Sequence, residues 1–177
     1  MNITAVARAT DLFRVNDIYP QELLAEFAAT DHLQSAWRKE DWQDEYPRRR
    51  LIYAPDSIYT QLENCVKAHL HTISTFIGID IAACDTGFWL DLPGFCMTPH
   101  LDNDGVSASM QIYLNVNESS LGTVFYNPDN SVRYQSPYTI NAGYIMLNGP
   151  QQTHGMGNPV PADSYRISSY TWFYPKV

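Results

Sequence analysis

The sequence has few cysteines and no pattern among them. Cys65, Cys84 and Cys96 are widely spaced and form no C-x-x-C pair. An odd number of scattered thiols excludes a disulfide framework and a zinc ribbon, and it fits reduced cysteines in a cytoplasmic compartment. Long hydrophobic runs are missing as well. Nothing approaches the ~18 consecutive apolar residues of a membrane span. The opening "MNITAVARATDLFRVND" holds no apolar stretch of signal-peptide length. Basic residues are scarce: 11 Lys and Arg against 19 Asp and Glu leave a formal net charge of −8. A broadly negative surface repels phosphate backbones, so nucleic acid is not an expected partner. Arg48-Arg49-Arg50 is the local exception. It reads either as a solvated loop or strand entry, or as a patch that contacts an anion or substrate.

The chain also lacks internal repeats, low-complexity tracts and Gly/Ser linkers. Its 177 residues, 45% of them hydrophobic, are enough for one domain with a sizeable core. Within that domain the pattern changes near residue 78. Before it, helical signals dominate. "YPQELLAEFAAT" sets Pro20 at a helix start with Leu23, Leu24 and Phe27 on one stripe. "PDSIYTQLENCVKAHLHTISTFIG" offers Asp56 or Ser57 as N-cap and Gly78 at the C-terminal end. Apolar residues from Ile58 to Ile77 recur between them at helical spacing, which predicts one long helix with a buried face. From about residue 79 to 177, short segments separated by Gly, Pro, Asn and Asp predict roughly eight strands. These are "DTGFWLDL", "CMTPHLD", "SASMQIYLN", "GTVFYN", "VRYQS", "GYIMLN", "QTHGM" and "YRISSYTWFY". Many short antiparallel strands suggest a sandwich or jelly roll, with the helices covering one sheet from outside. Asp104-Gly105 is a hairpin signal that would fold the His100 strand back on the Tyr113 strand.

Strand geometry then picks out a possible metal site. Side chains repeat direction every two residues, so His100 and Asp102 share a face about 6.6 Å apart along a strand. An iron(II) facial site needs two histidines and one carboxylate, with three positions left open. The other histidine of the strand-rich half is His154, in "QQTHGMGNP"; it completes a triad or is a loop histidine beside Gly155 and Gly157. His69 and His71, on the predicted helix, cannot chelate together because residues two apart do not face each other. His32 sits in an ordinary helix-end context. A hairpin through "GNPVPADS" would set the strand of Arg166 about 4.8 Å from that of His154. An arginine inside an apolar barrel requires an anion. That anion is a carboxylate of a metal-chelating cosubstrate, or a protein Asp or Glu, unless Arg166 lies on the outer face. Ser168 points the same way as Arg166.

These residues, His100-x-Asp102, then His154, then Arg166, resemble the iron(II)- and 2-oxoglutarate-dependent oxygenases, in particular the prolyl-4-hydroxylase-like branch. "HLDN" followed by a "YLN" strand end is similar to the prolyl hydroxylases that act on oxygen-sensing factors. "GTVF" resembles the family's Gly-Gly-x-x-x-Phe segment with one glycine missing. Gly143 matches the turn before the distal-histidine strand, and Trp172 a tryptophan beside the pocket. The similarity spans about residues 85–174. One departure is "DLPG", where Leu92 stands in place of a family tyrosine.

The resemblance implies a double-stranded β-helix, cupin-like, with N-terminal helices on one sheet. It implies iron(II) on His100, Asp102 and His154, and 2-oxoglutarate held by Arg166, Tyr113 and Ser168. It also implies O2 as oxidant, ascorbate as supporting reductant, and hydroxylation of a substrate C–H bond with release of succinate and carbon dioxide. A carboxylate at Asp102 argues against a halogenase. Proline, free or in a peptide, leads as substrate; another free amino acid or small metabolite follows. Trp37, Trp42 and the arginine run lie in the segment that would border the pocket mouth. The competing classes are a cupin-like metal- or ligand-binding module without turnover, and a jelly-roll interaction domain in which the triad does not converge.

Overall fold

Two strands of the C-terminal half explain most of the architecture. Ala108–Tyr113 and Arg166–Pro175 alternate small or apolar residues with polar and aromatic ones; every residue of the first is buried, and all but the last of the second are buried or half-buried. Each strand therefore has two covered faces. Ala108, Met110, Ile112, Ile167 and Phe173 face a large apolar core shared with the helices. The opposite parity carries Ser109, Gln111 and Tyr113 on one strand and Arg166, Ser168, Tyr170 and Trp172 on the other. One face of the sheet holds the protein together and the other holds polar groups.

The computed structural model describes residues 1–6, 9–32, 37–38, 46, 48–52, 57–102, 105–115 and 119–176, with residues 37–38 as backbone only. The strands are β1 (Asn2–Ala5), β2 (Leu12–Asn16), β3 (Trp37–Arg38), β4 (Arg49–Ile52), β5 (Ile81–Asp91), β6 (Ala108–Tyr113), β7 (Thr123–Tyr126), β8 (Val132–Gln135), β9 (Ala142–Leu147), β10 (His154–Met156) and β11 (Arg166–Pro175). The helices are α1 (Gln21–Ala28), α2 (Ile58–Ala68) and α3 (Leu70–Ile77). The large sheet runs β1-β2-β9-β6-β11-β5-β4-β3, and the small one runs β10-β7-β8. All pairings are antiparallel. The three helices lie on the large sheet, with Leu24, Phe27, Leu62, Val66, Ile73 and Ile77 in the same core as Phe88 and Leu90 of β5. Among the described residues, no helix is long and apolar enough to cross a membrane.

Several sequence expectations need correction. The stretch up to residue 78 is not helical throughout, because β1 to β4 all join the large sheet. Their partners, β9 for β2 and β5 for β4, are far along the chain, and short strands completed by distant partners leave little local signal. The long helix is two helices that meet at His69, whose N–H bonds to Val66 O. Ser57 caps α2, its hydroxyl accepting from Tyr59 N–H, and Gly78 closes α3 at φ +72°. His32 is more than a helix-end residue: it is buried, bonds Tyr59 Oη and Phe27 O at 2.8 Å each, and ties α1 to α2.

"CMTPHLD" is not a strand. Its one ladder contact is an isolated bridge between His100 and His154, and Pro99 has no N–H to give. The two expected hairpins are absent too. β6 lies between β9 and β11, away from His100, and β10 and β11 belong to different sheets. Sheet-crossing connections place sequence neighbours apart, as jelly-roll topology requires. Asp104, the Asp56 cap alternative, Trp42 and the Trp37 side chain lie outside the described residues.

Candidate metal centre and cavity

The bridge between His100 and His154 is reciprocal. His100 N–H bonds His154 O at 2.9 Å, and His154 N–H bonds His100 O at 3.0 Å. Directly opposed residues put their side chains side by side, so the imidazole centroids are 4.5 Å apart. Gly155 makes the approach possible: a Cβ there would stand 2.8 Å from Met97 O.

Each imidazole Nδ1 faces a backbone carbonyl at 2.9 Å, Thr98 O for His100 and Gln152 O for His154. A carbonyl can only accept, so Nδ1 carries the proton and Nε2 is left with its lone pair. Both Nε2 atoms lie 3.6 Å from Asp102 Oδ1. One ligand atom from each residue falls within 4.8 Å of the others. Asp102 Oδ2 is occupied differently, accepting from Tyr170 Oη and lying 3.3 Å from Ser109 Oγ.

The electrostatics fit a cation at this point. Burial pushes the Asp102 carboxyl up, but His100, His154 and Tyr170 outweigh it and hold the group below the usual carboxylate range. Burial lowers His154, which favours the neutral imidazole a metal needs. His100 is raised by its contact with Asp102, against burial.

The triad opens on a cavity of about 150 Å³. Arg49, Trp89, Gln111, Thr123, Arg166 and Trp172 form much of its remaining wall. Arg166 is 2% exposed. Its Nε and Nη2 each lie 2.8 Å from Asp91 Oδ2, and Nη1 donates to Leu121 O at 3.0 Å. The protein partner foreseen as one alternative is therefore present, and Arg166 also reaches the cavity. Asp91 is fully buried and also binds Arg49, whose Nε lies 2.6 Å from Oδ1. Burial would raise Asp91, but Arg49 and Arg166 hold its carboxyl below the ordinary range.

Tyr113 and Ser168 do not reach the cavity wall. Tyr113 Oη accepts from Thr123 N–H at 2.9 Å and donates to Thr123 Oγ1 at 3.2 Å. Thr123 Oγ1 and Tyr144 Oη then donate to Gln111 Oε1, and Gln111 Nε2 donates to Ser168 Oγ. Tyr113 and Ser168 thus stand behind Thr123 and Gln111. Sequence reasoning missed Asp91, Gln111, Thr123, Tyr144 and Tyr170. Parity was the available signal for Tyr170, which shares a strand face with Arg166 and Trp172. An acid within apolar "FWLDL" was the signal for Asp91. The arginine run divides: Arg48 Nη1 donates to Pro93 O, Arg49 enters the cavity and Arg50 is exposed.

The architecture is a double-stranded β-helix with helices on the large sheet, the fold of prolyl-4-hydroxylases and other 2-oxoglutarate/Fe(II) oxygenases. A prolyl-4-hydroxylase from Pseudomonas putida matches with a TM-score of 0.69 at 16% identity, over 94% of each chain. A Trichoplax adhaerens prolyl hydroxylase, in complex with a hypoxia inducible factor oxygen degradation domain peptide fragment, matches at 0.74 and 15%, over 94% of this chain and 84% of that one. HygX from Streptomyces hygroscopicus, with nickel and 2-oxoglutarate bound, matches at 0.67 and 8%, over 97% and 88%. No family model matches the sequence, and no curated protein matches it.

Proposed function

We propose that the protein is an Fe(II)- and 2-oxoglutarate-dependent dioxygenase that hydroxylates a C–H bond of proline, free or in a peptide. The carrying observation is that His100 Nε2, His154 Nε2 and Asp102 Oδ1 converge beside a cavity that also contains a buried arginine. The donor set fits iron(II): two neutral imidazoles and one carboxylate oxygen leave three positions open. It fits the dicarboxylate as well, because Asp91 and Leu121 account for three of the five guanidinium N–H groups of Arg166.

Bound iron and 2-oxoglutarate would supply the oxidising power for C–H hydroxylation, with succinate and carbon dioxide as co-products. The chain's own residues hold and orient. Thr98 O and Gln152 O fix the imidazole tautomers, and Tyr170 and Ser109 keep Asp102 Oδ2 turned from the histidines. Arg166 would hold the far carboxylate of the cosubstrate, and the hydrogen bonds among Tyr113, Thr123, Gln111 and Ser168 would fix the wall beside it. Trp89, Trp172, Met97 and Met156 supply the apolar part of the cavity wall. The neighbours named above include prolyl hydroxylases, one of them with a peptide, which supports proline as the first substrate to test.

The Asp91–Arg166 pair favours a second reading, a metal-binding module whose arginine serves only its protein partner. One experiment separates the two. Purified protein with Fe(II), ascorbate and 2-oxoglutarate is offered free amino acids and proline-containing peptides, and succinate is measured. Stimulation above the substrate-free rate is expected. If 2-oxoglutarate neither binds the nickel-loaded protein nor is consumed in air, the oxygenase reading is wrong.

A further inference from the structure

We propose that Arg49 is the seat for the carboxylate of a free α-amino acid, the substrate class of this site; the proposal rests on the oxygenase reading above. Arg49 lines the cavity together with His100, Asp102 and His154. It is held rigidly. Nε lies 2.6 Å from Asp91 Oδ1 and Nη2 3.2 Å from Oδ2, and the guanidinium sits 4.6 Å from the Phe95 ring centre and 5.3 Å from that of Trp89. A guanidinium clamped in this way has little ordering entropy left to lose when it binds an anion.

Asp91 serves two arginines with one negative charge. Among the described residues, the pair Arg49 and Arg166 therefore carries one buried positive charge that no second carboxylate cancels. Arg166 is the deeper, with its side chain 2% exposed, and Arg49 at 12% lies nearer solvent. A dicarboxylate that chelates the metal and extends inward takes Arg166, which leaves Arg49 to the second ligand.

Charge balance narrows that ligand. A divalent metal and a dianionic cosubstrate, added to Asp102, Asp91 and the two arginines, make the site neutral. A second ligand that is neutral overall keeps that balance, and a carboxylate on it would meet the Arg49 N–H groups that Asp91 does not take. A free amino acid zwitterion meets both conditions, whereas a prolyl residue inside a protein has no carboxylate to offer. Trp89 and Trp172, edge to face at 6.4 Å, provide an apolar wall for its side chain.

The test uses the full chain loaded with nickel, which is inert to oxygen chemistry here, and saturated with 2-oxoglutarate. The twenty protein amino acids and their amides, L-proline and L-prolinamide first, are titrated while tryptophan fluorescence is followed. At least one acid should bind about tenfold or more tighter than its amide, the size of a charge-assisted contact. Arg49→Gln should erase that preference, and Arg49→Lys should keep part of it. The loss in amino-acid affinity should exceed any change in 2-oxoglutarate affinity. If Arg49→Gln does not fold, the acid-to-amide ratio of Arg49→Lys decides, and a ratio equal to wild type overturns the assignment. Equal binding of every acid and amide, no binding by any amino acid, or a preference that survives in Arg49→Gln also overturns it. These results, with 2-oxoglutarate bound, would leave the oxygenase reading standing; failure of nickel-dependent 2-oxoglutarate binding would overturn both.

Discussion

His100 and His154 exchange a reciprocal pair of backbone hydrogen bonds, so the two imidazoles are set by the main chain before any metal arrives. The arrangement depends on Gly155, where a Cβ would meet Met97 O at 2.8 Å and Pro99 N at 3.0 Å. Gly155→Ala should therefore push the His100 segment away. Nickel affinity, measured by calorimetry, should fall at least tenfold while the circular dichroism spectrum stays that of a folded β protein. Unaltered nickel binding would show that the bridge does not preorganise the site. Asp102→Ala, which removes a ligand outright, should lose binding altogether.

Tyr170 Oη is bonded to the Asp102 oxygen that faces away from the histidines. Removing such a partner of a metal ligand commonly costs ~10–100-fold in metal affinity or activity. Tyr170→Phe should show a loss in that range for cobalt(II). Its visible absorption bands should also shift as Asp102 gains freedom to turn its second oxygen to the metal.

Arg166 and Tyr113 should separate in a binding assay. A charge-assisted hydrogen bond contributes about 1.5–3 kcal/mol and a neutral one about 0.5–1.5 kcal/mol. Arg166→Gln should thus weaken 2-oxoglutarate binding by the charge-assisted amount, and Tyr113→Phe should weaken it less, because Tyr113 stands behind Thr123 and acts on the cavity only through it. Tyr113→Phe has a different signature, because it strips the buried Thr123 N–H of its acceptor. An orphaned donor costs roughly 1–3 kcal/mol, and at about 2–4 °C per kcal/mol for a chain of this size the melting temperature should fall by several degrees.

Asp91 links stability to pH. Its folded-state carboxyl lies below the ordinary carboxylate range because Arg49 and Arg166 outweigh burial. The unfolded chain therefore takes up the proton first as pH falls. The stabilisation is complete above the unfolded value near ~3.9 and is lost as pH drops through the lower folded value. Urea midpoints measured from pH 7 down to about pH 2 should show this acid limb in wild type and a shallower one in Asp91→Asn. At neutral pH that variant strands two buried guanidinium groups, so a loss of about 3–5 kcal/mol is expected.

Local chemistry was legible in the sequence where it depended on short range. The Ser57 cap, the Gly78 stop and the two-residue alternation from Arg166 to Trp172 follow from neighbouring residues and backbone geometry, whereas His100 and Asp102 were paired by a strand alternation that their segment does not adopt. That alternation also separated the face carrying Arg166 from the face carrying Ile167. Tertiary structure decided which distant residues meet. It brought His154, at the start of β10, opposite His100 through an isolated bridge to a segment that is not itself a strand. It drew the first strands of the chain into the large sheet, and it set Asp91 between Arg49 and Arg166. The physical reason is that strand pairing and buried ion pairs are completed by partners remote in the chain. Periodicity states which way a side chain points, and only the fold supplies what stands opposite it.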